Sequence, residues 1–202
     1  QPYFGDYDHF IFSLREYVLP EIAGITSLIP PSIDPLSHKN RTLQVHKNIS
    51  IMVQAGILEP RGAQLYEHYK HQVRRVMPDG SFGPVNQRHP FDLIYRPIIT
   101  EISRWDRLKG FRELMKAFVR MKQENEKQND PASIAYKRIR LCRLVLGGPD
   151  PQFVVDDPEG NEVLQELVDY YRELPGNMQE DIGLFLLPLD NPKENALIVN
   201  AL

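Results

Sequence analysis

The second half of this sequence predicts an α/β fold, with a parallel sheet covered by helices on both faces, on three observations. Short, nearly continuous apolar runs recur at 98–102, 141–146 and 182–187. Between them lie longer stretches whose apolar residues repeat at helical spacing. The third run is followed by Asp190-Asn191-Pro192, a helix-opening signal. Strands apolar on both sides need cover on both faces, and strands alternating with helices pair in parallel. Residues 96–202 therefore read as three βα units of a doubly wound domain, with ligands expected at the carboxyl ends of its strands.

Taken in order, residues 9–14 and 25–29 form short apolar elements around a helical-looking stretch at 15–22. Pro30, Pro31 and Pro35 follow, and proline fixes φ and keeps the preceding residue out of the helix, so this is a stiff connector. Residues 1–35 thus read as the end of a preceding lobe and a linker. Residues 36–95 read as a helical insertion. Its first amphipathic helix uses Leu43, Ile49, Met52 and Val53, and its second uses Leu65, Tyr69, Val73 and Val76. Lys70, His71, Arg74 and Arg75 make the second helix basic, either as a solvated face or as a ligand patch. Gly, Pro, Asn and Asp crowd 77–96, which reads as a long surface excursion.

Beyond it, Leu108, Phe111, Leu114, Met115 and Phe118 lie on one helical stripe after the first strand. Val163, Leu164, Leu167, Val168, Tyr171 and Leu174 form the next, between the second and third strands. The chain starts at Gln1, and 195–202 is an apolar helical pattern without a C-terminal cap, so the sequence reads as an internal fragment. An apolar face left open in a fragment would drive homodimerisation.

Composition narrows the function classes. The 202 residues are 42% hydrophobic and 25% charged, ordinary for a globular domain. A net charge of −3 provides no basic field for nucleic acid or an anionic membrane surface, so any phosphate binding must be local. No apolar run approaches the length of a membrane span. The single cysteine, Cys142, excludes an internal disulfide, fits a cytoplasmic setting and reads as a buried, unreactive thiol. The six histidines are scattered without ligand spacing, so no metal site is expected.

The informative stretch is Ser103-Arg104-Trp105-Asp106-Arg107-Leu108-Lys109-Gly110, between the first strand's carboxyl end and the first helix. Free N–H groups and the positive end of a helix dipole favour anions there. Arg104 offers a planar fork and Lys109 a compact charge, so the two can converge on one diphosphate. Charged residues also commonly cap the first turn of a surface helix. Gly147 and Gly148 end the second strand, either to admit a ligand or as a plain turn. Leu187, Pro188 and Leu189 end the third. Asp156, Asp157 and Glu159 read as a loop and helix N-terminus rather than a metal or catalytic carboxylate pair.

Three segments carry a resemblance: Leu28-Ile-Pro-Pro-Ser-Ile-Asp-Pro-Leu-Ser-His-Lys-Asn40, Arg96-Pro-Ile-Ile-Thr-Glu-Ile-Ser-Arg-Trp-Asp-Arg-Leu-Lys-Gly110 and Asp156-Asp-Pro-Glu-Gly160. In that order they resemble the retaining glycosyltransferase family that contains trehalose synthases and trehalose phosphorylases, with the glycosyltransferring synthases its nearest branch. The Ser-Arg-x-x-x-x-Lys-Gly motif is shared by many related glycosyltransferases; the proline-linker motif is more particular to this branch.

The resemblance implies a GT-B architecture of two Rossmann-like lobes, with 96–202 the first half of the donor-binding lobe. It implies a glycosyltransferase that moves glucose with retention from a nucleoside diphosphate sugar, such as UDP-glucose or ADP-glucose, to a sugar acceptor, with trehalose the expected product. No other cofactor is implied. Arg104 and Lys109 match the pair that binds the donor diphosphate and stabilises the leaving group. Leu187 and Leu189 fall in the segment that resembles the one whose backbone lies near the nucleotide base in related enzymes, and Gly147 and Gly148, unless a plain turn, would admit the donor. The family's two donor-binding glutamates have no counterpart in these residues, and 41–95 is longer than the corresponding connector. A trehalose phosphorylase is the nearest enzymatic alternative. A non-catalytic interaction module using the basic helix is the alternative from another class.

Overall fold

The computed structural model describes residues 4–60, 62, 67–87, 89–154 and 158–202. At the start, β1 (Phe10–Phe12) pairs in parallel with β2 (Thr26–Leu28), and short 3-10 turns replace the expected helix between them. Residues 29–35 have no regular structure. The chain then enters α1 (Val45–Gln54).

The main sheet has five strands. They are β3 (Arg74–Val76), β4 (Phe82–Pro84), β5 (Ile98–Ile102), β6 (Arg143–Pro149) and β7 (Ile182–Leu187), in the spatial order β4-β3-β7-β6-β5. As the βα alternation predicts, β5, β6 and β7 are mutually parallel. The sheet as a whole is mixed, because β3 runs antiparallel to both β7 and β4.

Helices cover both faces of this sheet. Side chains alternate along a strand, and in β6 Leu144 and Leu146 face one core while Val145 faces the other. The first core is completed by α2 (Phe111–Gln128) and α4 (Pro158–Glu173), through Phe111, Met115, Phe118, Val163, Leu167 and Tyr171. The second is completed by α1 and α6 (Pro192–Ala201), through Ile51, Ala55, Ile198 and Ala201. Cover on both sides explains why β7 is buried at every position and why its sequence lacks polar alternation. Asn200 ties α6 back to the chain after the prolines, donating to the carbonyls of His38 (2.9 Å) and Arg41 (2.8 Å).

Four further expectations are corrected. Over residues 67–76 the second helix of the insertion does not form; Leu65, which it also used, lies outside the described residues. The Val73 N–H bonds to Ala55 O at 2.9 Å and the Tyr69 N–H to Gln54 O at 2.9 Å, so these donors serve the end of α1 instead of a helix of their own. Residues 74–76 then enter the sheet. The segment 77–96 is no surface excursion: Pro78-Asp79-Gly80 turns the chain from β3 into β4, and Val85, Phe91 and Leu93 are buried in the second core. The second parallel strand begins at Arg143, because Ser133 caps a helix absent from the sequence reading, α3 (Ile134–Leu141). Leu108 lies before α2 and is 94% exposed, in a 3-10 turn instead of the helical stripe. The short helix α5 (Gly176–Glu180) leads into β7.

Candidate functional site

The carboxyl ends of β5, β6 and β7 come together at Ile102, Pro149 and Leu187. The Ser103 N–H extends the ladder by bonding to Gly147 O at 3.0 Å, and the chain then leaves the sheet. Arg104 points outward: its side chain is 72% exposed and its Nη2 lies 3.8 Å from Asp106 Oδ2. The next residue, Trp105, is 1% exposed. Asp106 is an N-cap, its Oδ1 accepting from Leu108 N at 2.8 Å, and it starts the 3-10 turn Arg107–Lys109. Gly110 closes the loop in the left-handed region, at φ 72°, and opens α2. A side chain is disfavoured at that φ, which accounts for the glycine between the two turns.

Arg104 and Lys109 therefore lie exposed on one loop, between an edge parallel strand and a helix N-terminus. Lys109 is close enough to Glu101 on β5 to be felt there. Burial raises the Glu101 carboxyl above its ordinary range, and the Lys109 charge opposes that rise. A carboxylate thus stands near each cation, Asp106 by Arg104 and Glu101 by Lys109. Arg107 turns away from both and reaches α4, with Nη1 2.8 Å from Glu166, Nη2 3.4 Å from Glu162 and Nε 3.9 Å from Glu159. Asp156 and Asp157 lie outside the described residues.

Gly147 and Gly148 sit inside β6 instead of ending it. A Cβ at Gly147 would touch Ile102 and Leu187 at ordinary distances, whereas one at Gly148 would fall 2.4 Å from Cε2 of Trp105. Leu187 is packed into the second core at 2% exposure, and its carbonyl accepts from Asp150 N. The Pro188 carbonyl accepts from Asn195 Nδ2 at 2.9 Å, and Leu189 is half-buried beyond the strand.

Sequence reasoning missed a second group at this end. An open cleft of about 560 Å³ lies beside the ends of β6 and β7, among Tyr69, Arg74, Phe82, Asp150, Phe153 and Pro188. Asp150 pairs there with Arg74, and His71 Nδ1 lies 2.9 Å from Asp190. Gly-Gly-Pro-Asp-Pro after an apolar run was the only local sign of a turn at Asp150; its partner is 76 residues away. At the opposite end of the sheet Arg75 is buried, donating to the carbonyls of Gln179, Glu180 and Ile182. Of the four basic residues read either as a solvated face or as a ligand patch, Arg74 thus pairs with Asp150 and Arg75 faces inward, so these two form neither.

No helix among the described residues is long and apolar enough to cross a membrane. No family model matches the chain. Over 58 residues it is 47% identical to a trehalose synthase of Rubrobacter xylanophilus, covering 28% of this chain and 14% of that protein. Over 155 residues it is 29% identical to a trehalose synthase of Pyrococcus horikoshii, covering 76% of this chain and 25% of that protein. The chain thus spans a quarter or less of the length of these two curated relatives, and its similarity is to part of proteins that carry the name trehalose synthase.

Proposed function

We propose that this chain is part of the donor-binding lobe of a glycosyltransferase, one that moves glucose from a nucleoside diphosphate sugar to a sugar acceptor with retention and makes trehalose. The observation that supports this reading most is the loop 103–110, which holds Arg104 and Lys109 in solvent at the carboxyl end of a parallel strand and at the start of α2. The names of the two relatives support the trehalose part of it.

In this reading the loop acts on the leaving group. As the glycosidic bond breaks, negative charge grows on the departing diphosphate, and fixed cations stabilise that charge more in the transition state than before it. Arg104 takes two phosphate oxygens with its fork, and Lys109 adds a point charge. Each then exchanges a nearby carboxylate for phosphate. UDP-glucose and ADP-glucose are the expected donors.

Calorimetric titration with UDP, ADP, GDP and their glucose conjugates tests the proposal. Saturable binding of one nucleotide is expected, weakened about tenfold or more in Arg104→Ala and in Lys109→Ala, since a charge-assisted bond is worth about 1.5–3 kcal/mol. Binding unchanged in both variants would remove these residues from the site. Glucose 1-phosphate released from trehalose and phosphate, with no nucleotide required, would favour a phosphorylase instead.

A further inference from the structure

Besides its main-chain bonds and the Asp106 cap, the loop that carries the two exposed cations is tied to the rest of the protein by side chains of its own. Arg107 supplies one tie, but its ion pairs to Glu159, Glu162 and Glu166 join exposed groups, and such pairs are screened and contribute little. Trp105 supplies another of a different order. Its indole is 1% exposed, and its Nε1–H donates to Pro149 O at 2.7 Å. Its ring lies against Gly148 on β6 and 4.9 Å from the ring of Phe111, the first residue of α2. One side chain thus joins the carboxyl end of β6, the loop and the helix start. Burial of a whole indole with its N–H satisfied is a strong, directional constraint. Adjacent residues diverge sharply here, with Trp105 inward and Arg104 outward, so seating the indole fixes the backbone from which the guanidinium extends.

We propose that Trp105 is the positioning residue of this loop, and that Gly148 lacks a side chain so that the indole can seat. The inference rests on the reading of 103–110 as a diphosphate grip. It also gives the glycine a different task from admitting a donor. A methyl group at 148 would lie 2.4 Å from Cε2 and 2.8 Å from Cδ2 and Cζ2 of the indole, so the ring would have to leave its seat.

The test is titration of the full chain with UDP and with ADP, after circular dichroism has checked each variant's fold. Trp105→Phe keeps a ring but loses the bond to Pro149; Gly148→Ala keeps the indole but removes its seat. Each is expected to weaken binding about tenfold in the wild-type background, while Trp105→Phe in an Arg104→Ala background weakens it by no more than about twofold, because residues acting through one another are non-additive. Equal losses in both backgrounds, or full affinity in both folded single variants, would overturn the positioning role. Should Gly148→Ala fail to fold, Trp105→Phe combined with it gives a smaller ring beside the new methyl; recovery of folding supports the seat, and continued unfolding of that pair counts against it. If the wild-type chain binds neither UDP nor ADP, the diphosphate reading falls first and this proposal falls with it.

Discussion

Arg75 shows how differently one residue reads alone and in place. Its guanidinium bonds to three main-chain carbonyls and lies 4.1 Å from the centroid of Phe91. Burial is the largest influence on it and pulls its pKa down to about 10, with Tyr171 opposing. A base with a depressed folded pKa leaves the unfolded chain holding more protons, so its contribution to stability improves as pH climbs through about 10. Arg75→Met should lower stability by about 3 kcal/mol, since buried carbonyls lose their donor, yet leave UDP affinity unchanged. Denaturant melts and the titration above check the two halves of this expectation. Cys142 gives the converse case: burial, the largest cause, pushes its thiol above the ordinary range. An acid with a raised folded pKa loses stabilising effect as pH rises past the ordinary thiol value. A thiol reagent at mildly alkaline pH should therefore label Cys142 slowly in the native chain and rapidly in denaturant; equal rates would contradict its burial.

Among the elements, α6 is the one whose start is written most plainly in the sequence. Asn191 Oδ1 accepts from the N–H groups of Lys193 (3.1 Å) and Glu194 (3.3 Å), and Pro192 occupies the first turn. Asn191→Ala should cost about 1 kcal/mol in a denaturant melt, the usual worth of an N-cap. The strand β7 was equally legible, because cover on both faces makes a strand an unbroken apolar run, whereas β5, Ile-Ile-Thr-Glu-Ile at the sheet edge, was legible from its place in the βα alternation. The strand β3 was not. Three residues carry no period, two of them are arginines that suggest solvent, and what makes them a strand is pairing with β7 more than a hundred residues later. Its turn, Pro78-Asp79-Gly80, was a readable hairpin signal obscured by the wider richness in Gly and Pro. Helix α3 escaped because it has eight residues and no buried stripe. At the candidate site, the spacing of Arg104 and Lys109 is local and therefore legible. The contact of Trp105 with Gly148 joins positions 43 apart in the chain, and no local pattern announces it.

Across the whole molecule, a net charge of −3 coexists with a loop that exposes Arg104, Arg107 and Lys109. Charge near this loop is exposed and subject to screening, so the proposed nucleotide binding should weaken as salt rises from low to physiological strength, while the apolar cores hold the fold. A salt-independent affinity would point to a buried site elsewhere. Trp105 adds a property that belongs to the molecule as a whole. It is the only tryptophan, so nearly all long-wavelength emission under selective excitation comes from one indole wedged between strand and loop. The spectrum of the intact chain should be blue, and its red shift in urea should record the moment this single wedge is released. If that shift precedes the loss of helical ellipticity, the loop opens as a separate unit; if the two coincide, the loop and the sheet melt as one.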